Sequence, residues 1–201
     1  MVGHNARHMP MSPPDRYCRN LSPLALLAVT AWVAAGCGPL AEPEQPAEAG
    51  CGGFLRASLH GGIAADIDWQ GAELDCEGMP RPADDGVRLR FAGTISDAGR
   101  SRKVAIILGI EGLSRAGAGR ELATNVTLIE EGEGRFFGTR DMDDCWSDVT
   151  NQGPAVENRA SLSVLDGTVY CVSPLAELNG VSTISFTEMT FSGVVDWEPA
   201  E

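Results

Sequence analysis

The chain is poor in the residues that most catalytic and metal-binding machinery requires. Of 201 residues three are histidine, and only His60 lies beyond residue 36. One imidazole makes neither an HExxH helix nor a histidine-based zinc triad. Cys51, Cys76, Cys145 and Cys171 include no C-x-x-C spacing, which argues against a four-thiolate zinc site. The apolar run Leu21 to Gly36 is 16 residues long and contains Pro23, short of the roughly 20 residues a membrane-spanning helix needs. No internal repeat is visible. Positive charge is scarce as well: 15 Lys and Arg stand against 28 Asp and Glu, a net charge of −13. That balance argues against nucleic acid and anionic head groups as partners, and leaves cations and basic partners open.

The same apolar run carries the strongest positive signal. Arg7, Arg16 and Arg19 precede it and Ala34-Ala35-Gly36-Cys37 ends it, the anatomy of a secretory signal of residues 1–36. Residues 34–37 resemble the lipobox of bacterial lipoproteins, with Ala34 where leucine is usual. The resemblance implies acylation of Cys37, as with palmitate, cleavage before it, and stable anchoring, because two or more acyl chains hold a protein where a single one does not. Gly38 in place of aspartate implies the outer membrane. Loss of the signal removes three Arg and one Asp, leaving 12 basic and 27 acidic side chains, a net of −15.

Residues 38–50, GPLAEPEQPAEAG, read as a Pro/Glu-rich tether following the acylated cysteine. It spans roughly 20 Å as a coil and about 40 Å as polyproline. Residues 51–201 are of single-domain size. Their four cysteines form an even set in an exported domain, which indicates disulfides. Three pairings are possible. The short loops favour Cys51 with Cys76 and Cys145 with Cys171.

Alternation dominates this region. Leu55, Ala57, Leu59, Ile63, Ile67 and Trp69 share one phase while Arg56, Ser58, His60, Asp66 and Asp68 take the other, with Gly61-Gly62 positioned to bend or divide the strand. Val87 to Ile95 repeats the pattern, and Val104 to Ile110 is apolar throughout, as a central strand is. Leu122 to Ile129 and Arg135 to Thr139 flank a glycine-rich hairpin turn. Asp166-Gly167 reads as a second, two-residue hairpin turn, with Val164 facing Val169 and Leu162 facing Cys171. Val181 to Phe186 and Met189 to Trp197 supply the last strands, with a bulge near Glu188. Ser173-Pro174 through Asn179-Gly180 reads as a helical turn. The expectation is all-β: an antiparallel sandwich or barrel of about nine strands.

Four sets of residues invite chemistry. Gly112-Leu113-Ser114-Arg115-Ala116 is close to a nucleophile elbow, but Ala116 replaces its second glycine and no histidine follows, so it reads as a loop. Asp66 and Asp68 point the same way from one strand, about 7 Å apart, a spacing at which carboxylate pairs act on glycosidic bonds. Glu131, Asp141, Asp143 and Asp144, beside Glu130 and Glu133, supply hard oxygen ligands for calcium, though without the EF-hand order. Trp69, Trp146, Trp197, Tyr170 and Phe136-Phe137 are core or binding-face candidates, and adjacency on a strand sends Phe136 and Phe137 to opposite faces.

The sequence thus predicts a lipid-anchored envelope β-domain, a non-enzymatic binding or accessory module for an envelope protein or a cell-wall glycan. An envelope hydrolase using Asp66 and Asp68 and a calcium-dependent carbohydrate binder are the alternatives.

Overall fold

The computed structural model describes residues 51–82, 85–115, 117–155 and 161–198. The segments expected to be a signal (1–36) and a tether (38–50), together with Cys37 and Ala116, lie outside them. The described residues contain no α-helix. Twelve strands form one antiparallel sheet: β1 (Phe54–Gly61), β2 (Ala65–Gln70), β3 (Asp75–Pro80), β4 (Val87–Asp97), β5 (Arg100–Ile110), β6 (Gly119–Glu131), β7 (Arg135–Gly138), β8 (Cys145–Pro154), β9 (Leu162–Cys171), β10 (Leu175–Glu177), β11 (Thr183–Ser185) and β12 (Met189–Asp196).

Six of the twelve are halves of three interrupted strands. Strands β7 and β8 pair in turn with β6, Leu128 with Phe137 and then Leu122 with Ser147. Strands β11 and β12 likewise share β1, and β9 and β10 continue one another against β8 and β7. Counted this way there are nine strands, and each neighbours its sequence neighbours around a ring. The ring closes by pairing β1 with β12 and opens at one place, between β2 and β3. A 3-10 turn, Gly71–Glu73, spans that opening. Beside it, Cys51, just before β1, is bonded to Cys76 of β3. The second disulfide joins Cys145 and Cys171, which face each other on β8 and β9. Both bonds are the ones the short-loop argument favours.

Alternation puts Leu55, Leu59, Leu89, Phe91, Ile106, Leu108, Leu128, Phe137, Leu165 and Phe191 inside, each almost wholly buried. The Phe91 and Phe191 ring centroids are 6.0 Å apart where β4 and β12 face each other. Full burial of one such side chain contributes about 1.5–3 kcal/mol, so the interior holds the ring together without helices. The bulge expected near Glu188 is present: Ala57 pairs with Met189 but His60 pairs with Ser185, leaving Phe186–Glu188 opposite two residues.

Two expectations are overturned. Asp166 and Gly167 do not turn; they lie inside β9, paired with β8 on one side and β12 on the other. The glycine serves a close approach: a Cβ there would stand 2.7 Å from the Phe191 ring and 2.7 Å from the Asp148 carbonyl. Val169 therefore faces Met189 and Ser147 rather than Val164. The segment from Ser173 to Gly180 is not helical either. It holds β10, whose Leu175 is buried and whose backbone completes the ladder between β7 and β11. Two strand edges in need of a partner outweigh a local capping pattern.

Candidate functional site

Glu130 continues the inward phase of Val126 and Leu128 on β6 and is 1% exposed. A carboxylate cannot stay charged there unpaired, and two arginines meet it. Arg102 Nη1 lies 2.6 Å from Oε1 and Arg135 Nη1 lies 3.3 Å from Oε2. Arg102 also holds Asp97 at 2.9 Å, and Arg135 Nε holds Glu177 Oε1 at 2.7 Å. Glu177 in turn accepts the Ser182 backbone N–H, at 3.2 Å. The hydrogen bond from Arg135, then that backbone bond and the arginine charge, hold the Glu177 carboxyl below its ordinary range. The Arg135 guanidinium sits 4.8 Å above the Phe137 ring. Five charged side chains thus close one rim of the ring, each already committed to a partner, so the arrangement acts as a clasp.

The outer face beside this clasp is apolar. Paired positions place Ala92, Ala105, Ile129, Phe136 and Leu178 in one row across β4, β5, β6, β7 and the end of β10. The alanines are covered, whereas Phe136 is 41% and Leu178 68% exposed. The Leu178 N–H donates to the Phe136 carbonyl at 2.8 Å. Together they border a groove of about 430 Å³ that also touches Thr127, Arg140, Ala176 and Asn179. As adjacency requires, Phe137 is buried where Phe136 is not. Leu178 is the part missed in the sequence, because the helical reading of its segment hid its cross-strand position.

The four acidic calcium candidates are not brought together. Glu131 lies at one end of the four-residue strand β7 and binds Arg90 at 3.1 Å, while Asp141, Asp143 and Asp144 lie beyond its other end. Among the described residues no three metal-ligating side chains converge. Asp144 is a loop cap: its Oδ2 accepts the Arg140 and Asp141 backbone N–H groups at 3.0 and 3.1 Å. The Asp141 bond first, then one from the Ser173 hydroxyl, hold its carboxyl below the ordinary range.

Asp66 and Asp68 face solvent from β2, where the hydrolase reading needs partial burial. Asp68 pairs with Arg56 at 2.8 Å and Asp66 accepts the Ser58 hydroxyl at 2.6 Å. His60 is exposed on β1, and Ser114 lies in the connection between β5 and β6. Trp69 is core, whereas Trp146 and Tyr170 stand half-buried on the outside of β8 and β9 with ring centroids 6.0 Å apart. Trp197 packs against the edge of the core with its Nε1 buried and without a partner. The chain matches no family model, no curated protein and no solved structure.

Proposed function

We propose that this protein is a lipid-anchored component of the bacterial cell envelope, held in the outer membrane through Cys37, whose β-ring is a non-enzymatic docking module. Two features support export: the lipobox-like Ala34 to Cys37, and four cysteines of the domain joined two by two, which suits an oxidising compartment. The observation that carries the docking role is the pair Phe136 and Leu178, large apolar side chains held side by side at a groove where a monomer would ordinarily place polar ones. The partner is an envelope protein rather than a substrate to be cleaved.

The test is photocrosslinking in living cells with a photoreactive residue at position 136, and a control at the exposed position 60 on β1, three strands away from β7 around the ring. A single discrete adduct from 136 and none from 60 is the expected result. No adduct from 136, or the same adducts from both positions, would sink the docking role. Labelling with a palmitate analogue tests the anchor separately: the label is lost in Cys37→Ala, and its retention there would refute lipidation at that residue.

A further inference from the structure

The outer face of β1, β12, β9 and β8 carries a second feature, independent of the Phe136 groove. Arg56, Thr190, Thr168 and Asp148 form one row by direct pairing, and Tyr170 and Trp146 pair in the next. All six point outward, since their strand neighbours Leu55, Met189, Phe191, Val169, Ser147 and Cys145 are buried. Trp146 and Tyr170 are the two aromatic rings on that row, inclined at 30° to each other.

Carboxylates surround them. Asp148 stands diagonally behind Tyr170 and its Oδ1 accepts the Glu121 backbone N–H at 2.8 Å, which fixes Glu121 alongside. Glu188, one residue before the Met189–Val169 pair, lies on the β12 side of Tyr170, which is one residue after it. Glu188, Asp66, Arg56 and Thr190 share a shallow depression of about 410 Å³. Burial first, then the charges of Asp148 and Glu121, push the Tyr170 hydroxyl up from its ordinary value, as expected of a ring facing those carboxylates. Arg56 is neutralised by Asp68, and Arg120, in the bulge beside Glu121, offsets one of the four acids. The rim remains net negative.

Paired aromatic faces within a negative rim select for a cation. A guanidinium or ammonium over such rings gains about 0.5–2 kcal/mol, and neighbouring carboxylates add charge-assisted hydrogen bonds. A neutral glycan would use the rings but none of the rim, and an anionic surface would be repelled. We propose that this face docks a basic segment of a partner protein, one of whose arginine or lysine side chains lies over Trp146 and Tyr170 with its charge met by Glu121, Asp148 and Glu188.

The probe is an octa-arginine peptide, with an octa-citrulline peptide of the same length, titrated by tryptophan fluorescence into the full-length protein in detergent. The arginine peptide is expected to bind, and Trp146→Ala and Glu188→Lys each to weaken it about tenfold. Glu133→Lys, in the distant β6–β7 turn, should leave it unchanged. Equal weakening by Glu133→Lys would mean general charge attraction and overturn the proposal, as would equally tight binding of the citrulline peptide. Competition by a neutral N-acetylglucosamine oligomer would overturn it in favour of a glycan platform. If Trp146→Ala does not fold, Glu188→Lys, a change at an exposed position, decides. Crosslinking at Phe136 is untouched by either outcome, so the two surfaces stand or fall separately.

Discussion

The indole Nε1 of Trp69, in β2, donates a 2.9 Å hydrogen bond to the Thr94 carbonyl of β4, across the one opening in the ring of strands. The indole also lies flat against Gly93, where a Cβ would come within 2.6 Å of it. The backbone ladder that joins every other pair of neighbours is replaced here by one side chain, one turn and one disulfide.

Trp69→Phe should therefore cost about 2–3 kcal/mol, combining lost core volume with an unsatisfied carbonyl. Gly93→Ala should cost at least about 1–3 kcal/mol, because the intruding methyl meets a rigid ring. Urea unfolding checks both, and a near-neutral Gly93→Ala would show that the seam is slack.

Glu130→Ala should be among the most destabilising single changes in the protein. It leaves Arg102 and Arg135 facing a space that only a carboxylate neutralises, and breaking a buried ion pair costs about 3–5 kcal/mol. Asp97 and Glu177 still hold the two arginines, which places the expected loss at about 3 kcal/mol, the low end of that range. Glu130→Gln, which keeps volume and an acceptor oxygen, should lose less. Denaturant midpoints of the two variants give the comparison.

Acid should weaken the fold in a defined window. Glu177 and Asp144 both sit below their ordinary values, so their contribution is complete above the usual carboxylate range, near pH 4, and is lost as pH falls through the lower folded values. Arg135→Gln removes the main cause of the Glu177 shift. The drop in stability between pH 7 and pH 3, read from urea midpoints, should be smaller in that variant than in the parent.

Each disulfide spans a sequence separation of 25 or 26 residues, for which the chain-entropy estimate is about 3.5 kcal/mol. Replacing Cys145 and Cys171 by alanine should lower stability by that amount. Replacing Cys51 and Cys76 should cost more, since their bond also braces the opening beside β3. Equal losses in calorimetry would refute that extra role.

The fold was legible wherever one signal decided it. Leu55 to Trp69 alternates because one face of β1 and β2 is core, and the Glu188 slip marks a real bulge. The misreadings share a cause. Asp166-Gly167 and Ser173-Pro174 have the local chemistry of turn and cap, yet strand edges and the Phe191 ring impose other conformations. The clasp was visible in principle, since Glu130 follows Val126 and Leu128 at period two, and Arg102 precedes Val104 in the same phase of β5. Counting Glu130 among its acidic neighbours concealed that phase. The Trp146–Tyr170 face needed the β8–β9 register, which no local pattern supplies.

Because β1 pairs with β12, Phe54 with Ser192 through Ala57 with Met189, the first-made strand of the domain is zipped up by the last. Every other neighbour along the ring is also a neighbour in sequence, so those hairpins can assemble as the chain emerges, and only this join waits for the final strand. The two ends of the domain consequently lie together, and a circular permutant linking them and opened at the Gly132–Gly134 turn would turn that late join into a local hairpin. Its refolding should be faster than the parent's even where its final stability is lower.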